Sequence, residues 1–105
     1  MINNVSSPNG VSFSGINPKN LKAFIPELSD DVAKSFSKMS DMLIPNDELV
    51  AVCKGKVDSL MHLKSFGDFK LPIGQVQYNG ADNAEKKLEF LTNVMEKIQK
   101  GTLYA

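Results

Sequence analysis

The chain has 105 residues, is 42% hydrophobic and 23% charged, and balances twelve Lys against twelve Asp plus Glu for a net charge of zero. That profile describes one globular domain large enough to bury a core, and it argues against disorder. Every positive charge is lysine, and the absence of arginine, the usual bidentate reader of phosphate and guanine, argues against nucleic-acid recognition.

Cys53 is the only cysteine, so no intrachain disulfide can form and a reducing compartment is the simpler expectation. The N-terminus has neither a basic region nor an apolar run, so no ordinary signal peptide is expected. No apolar stretch approaches the ~20 residues of a transmembrane helix, so a soluble, cytoplasmic protein is expected.

Residues 1–10, rich in Asn, Ser and Gly, read as a flexible segment, and 11–105 as a single globular domain. Val11-Ser12-Phe13 alternates apolar and polar side chains and ends at Gly15. It reads as a tail that lays Phe13 into the domain or adds a short edge strand, or as an exposed recognition segment. Val11-Ser12-Phe13-Ser14-Gly15 resembles the V-S-F-x-G opening of a group of short, uncharacterised bacterial proteins that also close in an acidic-and-lysine amphipathic helix. The resemblance implies a bacterial source and carries over no activity or site.

Asn17-Pro18 supplies an N-cap and a proline at the first helical position, and Leu21, Phe24 and Ile25 share one face of a two-turn helix stopped by Pro26. Ser29 caps a helix over 30–43, with Asp30 and Asp31 in its first turn, a stripe of Val32, Phe36, Met39 and Leu43, and Ser37 on the wet side. Residues 47–65 fit two readings. Val50, Cys53, Val57 and Leu60 suit a helix. The β-branched run before Gly55-Lys56 suits a hairpin in which Val50, Val52, Val57, Met61 and Leu63 share a face. Gly55 inside a helix would cost ~1 kcal/mol, which favours strands. Residues 69–71 and 75–78 continue the alternation around Pro72, as an edge strand would.

The closing helix is expected over 82–100. Asp82 and Glu85 form its capping pair, Ala84, Leu88, Leu91, Met95 and Ile98 its stripe, and Gly101 its stop. The fold class predicted is α+β, a small antiparallel sheet over about 49–78 packed against helices 30–43 and 82–100. The alternative is a three-helix bundle of 30–43, 47–65 and 82–100.

Catalytic signals are sparse. In the hairpin Cys53 faces Asp58 and His62 faces Leu49, roughly 13 Å apart at ~3.3 Å per residue, so they form no thiol–imidazole pair. Cys53 is expected as a small buried hydrophobe. One His and one Cys make no zinc set, the acids at 30–31, 47–48 and 82 suit helix starts, and no phosphate loop is present, so no metal or cofactor is expected. Lys54-Gly55-Lys56 reads as a solvated hairpin tip. Phe90 falls off the closing helix's stripe, and Phe90, Phe13 and Tyr78 are the candidate interaction residues. The reading is a non-catalytic domain working through contact with a protein partner or a second copy of itself. The alternative is a small-molecule binder or minor enzyme using the 66–80 loop region with Tyr78, Asp68 and His62.

Overall fold

The computed structural model describes residues 14–54 and 57–103. Its elements run β1 (Gly15–Ile16), α1 (Pro18–Phe24), α2 (Asp30–Leu43), β2 (Asp47–Lys54), β3 (Val57–Phe66), β4 (Phe69–Tyr78) and α3 (Ala84–Lys100). The fold is α+β, a four-stranded sheet in the order β1-β2-β3-β4 with three helices, and not a three-helix bundle. β2, β3 and β4 form an antiparallel meander, whereas β1 joins β2 in parallel, so the sheet is mixed rather than wholly antiparallel. Phe13, the first ten residues and the Gly55-Lys56 hairpin tip lie outside the described residues.

The register sets Cys53 against Asp58 and His62 against Leu49, the pairing that the hairpin reading predicts. The buried face, however, is the opposite one. Leu49, Ala51 and Leu60 enter the core, together with Ile16 from β1 and Leu91, Val94 and Met95 from α3. Val50, Val52, Met61 and Leu63 stay half-buried on the outer face, and Val57 is exposed. The two faces are almost equally apolar, so alternation alone could not choose between them. The choice follows from β1, which sets Ile16 beside Leu49.

The helix ends follow their caps. Asn17 accepts from the Lys19 N–H and Ser29 from the Val32 N–H. At α3 the cap is Asn83, which accepts from the Lys86 N–H at 2.8 Å, and not Asp82; the Asp82 carboxylate instead lies 3.0 Å from Lys87 Nζ. Gly101, at φ 72°, donates to the Ile98 carbonyl while the Thr102 N–H donates to Lys97, the paired bonds of a Schellman stop. The stripe of α2 is also rotated from expectation. Ala33, Ser37 and Ser40 are its buried residues, Phe36, Met39 and Leu43 flank them, and Val32 is exposed.

Those serines are small and polar because β1 lies against them. The Ile16 N–H donates to Ser40 Oγ at 3.0 Å, and Ser37 Oγ donates to the Ile16 carbonyl at 2.8 Å. Both backbone groups of a buried residue are therefore satisfied by one helix face. Beyond Ile16 the edge of β2 is closed by the Asn20 carboxamide, which donates to the Ala51 carbonyl at 3.0 Å and accepts from its N–H at 2.6 Å. Asn20 stands in for one peptide of a longer β1.

Gly15 is where this seam is tightest. It sits at φ 71°, and a Cβ there would lie 2.1 Å from Ser40 Oγ and 2.7 Å from the Asp41 nitrogen. Gly67, at φ 64° in the β3–β4 turn, has open space where its Cβ would stand. Gly15→Ala is expected to lose about 3 kcal/mol in chemical denaturation, from backbone strain plus overlap, and Gly67→Ala only about 1 kcal/mol from strain. Equal losses would refute the close-packed seam.

Candidate functional site

The first turns of α3 bring together residues that the sequence reading treats separately. Tyr78, at the end of β4, meets Phe24 edge-on at 5.7 Å and Phe90 at 5.0 Å between ring centroids. Phe90 is thus a half-buried member of an aromatic trio packed against the core, and Tyr78 is its middle ring. The Tyr78 hydroxyl donates to the Ala81 carbonyl and so pins the turn into α3. Beside the trio lies a shallow cleft of about 410 Å³, lined by Gln77, Tyr78 and Gly80 on the strand side and by Lys86, Glu89 and Phe90 on the helix.

Under the trio is a cation that periodicity misses. Lys87 is buried, with 6% of its surface exposed. Its ammonium donates to the Phe24 carbonyl at 2.8 Å, lies 5.0 Å from the centroid of the Phe24 ring, and stands 3.0 and 4.0 Å from the carboxylates of Asp82 and Asp58. Phe24 closes α1, so Lys87 ties the start of α3 to the negative end of another helix dipole. Its position beside Leu88 and Leu91 placed it at the margin of the apolar stripe. Only knowledge of which helix ends nearby would have shown it buried.

A second polar group forms at the far end of the same sheet face. His62 Nε2 lies 2.6 Å from Asp47 Oδ2, both side chains are buried, and Lys64 Nζ lies 3.7 Å from Asp47 Oδ1. Asp47 opens β2 and not a helix, which corrects its reading as a cap. The hairpin register itself contains this contact. If His62 faces Leu49, then Asp47, two residues earlier on the same face, is its diagonal neighbour. The pair floors a cleft of about 360 Å³ whose walls include Ile73, Lys97, Ile98 and Leu103.

The 66–80 region is mostly strand β4 rather than loop. Tyr78 lines one cleft and His62 the other, and their partners along the sheet, Asp58 and Gly74, place them four residues apart on β3. At ~3.3 Å per residue that is about 13 Å, too far for one small ligand to be gripped by both. Asp68 lies in the exposed β3–β4 turn. Among the described residues, no group of three or more His, Cys, Asp or Glu is placed to hold a metal ion, and no helix is long and apolar enough to cross a membrane.

Beside Val32, Met42 and Val57, which lie apart, the exposed large apolar residues gather along the β3–β4 hairpin, starting from Ile73 at the second cleft. Phe66 is paired with Phe69 across the Gly67-Asp68 turn, Leu71 with Lys64, and Ile73 is the extra residue at an irregularity opposite His62 and Leu63. Phe66, Phe69, Leu71 and Ile73 are 43%, 59%, 46% and 44% exposed, a strip along the end of the hairpin. Cys53 is exposed rather than buried, and its thiol donates weakly to the Ala23 carbonyl at 3.8 Å. Partial burial pushes the thiol above its ordinary value, Asp58 adds to that, and Lys87 opposes it.

A raised thiol holds less thiolate at neutral pH, so Cys53 should alkylate slowly with iodoacetamide, with a rate that climbs past pH 9.0. Asp58→Asn should move that profile to lower pH and Lys87→Met to higher pH. A profile centred near neutrality would contradict the assignment. No protein family, no curated protein and no solved structure matches this chain, so the geometry alone carries its function.

Proposed function

We propose that this protein is a non-catalytic domain that works by contact with a partner protein, and that the apolar strip at the end of the β3–β4 hairpin makes the contact. One observation carries the reading. Phe66, Phe69, Leu71 and Ile73 remain more than two-fifths exposed on a strand pair whose other apolar inner-face residues, Leu60, Val76 and Tyr78, are buried or packed on the core. Aromatic and aliphatic side chains grouped this way are the usual anchors of protein interfaces.

The surroundings favour a protein over a lipid surface. Lys64, Lys70 and Asp68 border the strip, and Lys70 is already neutralised by Glu48 at 2.8 Å, so the tip offers no basic cluster to anionic headgroups. The polar groups that catalysis needs are engaged structurally: Asp47 holds His62, and Lys87 holds Phe24. A single unpaired Cys53 suits a reducing, cytoplasmic setting.

The test is a photo-crosslinking residue placed at Phe69 in living cells. A discrete adduct with one partner protein is expected, and it should vanish in a Phe66→Ser/Leu71→Ser background whose folding stability stays within about 1 kcal/mol of the parent. Flotation of the purified protein with phospholipid vesicles, together with an absence of protein adducts, would replace this reading with a membrane one.

A further inference from the structure

The sheet has two edges, and they are treated differently. On the β2 side, β1 and the Asn20 carboxamide occupy the backbone groups. On the other side β4 is the last strand, and no described element pairs with it. Natural sheets protect such an edge with charge, most often lysine. From Leu71 to Tyr78 this strand contains no charged residue at all.

The ladder shows which backbone groups are open. Asn20 holds both the N–H and the C=O of Ala51, so these point away from β3. Ala51 faces Leu60, whose own groups therefore turn toward β4 and its partner Val76. Alternation then turns the N–H and C=O of Gln75 and Gln77 outward, onto the free edge. By the same parity Pro72, opposite Leu63, presents to that edge a nitrogen with no hydrogen. The usable edge is thus short, running from Gly74 to Tyr78 and centred on Val76.

We infer that this edge pairs with the same edge of a second copy of the chain, antiparallel about a two-fold axis through Val76, to give one eight-stranded sheet. In that register Val76 meets its own mate, Gln75 meets the Gln77 of the second copy, and Tyr78 lies across from Gly74. An aromatic ring opposite a glycine is a favourable cross-strand match. Two-fold symmetry brings no like charges together in the paired segment, because Gly74 to Tyr78 carries none. The cleft beside Tyr78 and Phe90 shares Gln77 and Tyr78 with this edge, and its helix wall carries Lys86 and Glu89, opposite charges that suit a symmetric pairing. This surface is separate from the hairpin strip, so either can fail without the other.

The test uses the full chain and two variants at the exposed Gln75 and Gln77. Light scattering coupled to size exclusion, followed up to millimolar chain, should show the wild type as a dimer. Gln75→Lys/Gln77→Lys places lysine against lysine twice across the axis and should weaken the dimer about tenfold or more. Gln75→Lys/Gln77→Glu places lysine against glutamate twice and should restore it. Phe66→Ser should leave it unchanged. A wild type that stays monomeric over the whole range, a double-lysine variant that remains fully dimeric, or a Lys/Glu variant as weak as the double-lysine one would each overturn the inference.

Discussion

The arrangement depends on how a two-residue strand closes one side of the sheet. β1 reaches only from Gly15 to Ile16, too short to cover the β2 edge by itself. Three side chains complete it. Ser37 and Ser40 satisfy Ile16 from the helix side, and Asn20 satisfies Ala51 one step further along the edge. An unpaired buried peptide group costs about 1–3 kcal/mol, so these contacts decide where α1 and α2 must lie. Once α2 sits against β1 and α1 against β2, the helices share one face of the sheet. That face becomes the core, although the other is nearly as apolar.

The core that results is not purely hydrophobic, and its polar members act as ties between elements. Lys87 brings a charge under the aromatic trio and spends its donors on the end of α1 and two carboxylates. Asp47 and His62 join the start of β2 to the middle of β3. Each tie joins different elements, through the Lys87–Phe24 carbonyl contact at 2.8 Å and the His62–Asp47 contact at 2.6 Å, and such pairing is the condition for burying polar groups without a large penalty. The same contacts fix the orientation of each side chain. A lysine on a carbonyl and an imidazole on a carboxylate link the chain segments that carry them.

Elements with a local signal were legible in the sequence. The Asn17-Pro18 and Ser29 helix starts, the Gly101 stop, the hairpin register and the edge position of Pro72 all follow from residues close together in the chain. What was missed depended on tertiary choices. The α2 stripe rotated because β1 needed serines and an alanine beneath it, a demand made by residues more than twenty positions away. The cap is Asn83 rather than Asp82, whose carboxylate pairs with Lys87 instead. Phe90 stood out as a residue the stripe did not explain, and its explanation is the Tyr78 ring from another element. The exposed strip was not foreseen, because Phe66, Phe69, Leu71 and Ile73 look like ordinary strand hydrophobics until the length of the hairpin is known.

The two open surfaces have one origin. β3 and β4 are each ten residues long, whereas the edge strand β1 has two and β2 has eight. A meander that lengthens away from its anchored edge leaves its last hairpin beyond the helices that cover the rest, which exposes the Phe66–Ile73 strip. It also leaves a last strand with no described element paired beside it. The anchored edge is crowded with caps, serines and a carboxamide, while on the free one the described residues offer Pro72 and an irregular step as protection. The edge at β1 is thus closed by side chains, and the exposed strip lies on the side of the sheet furthest from it.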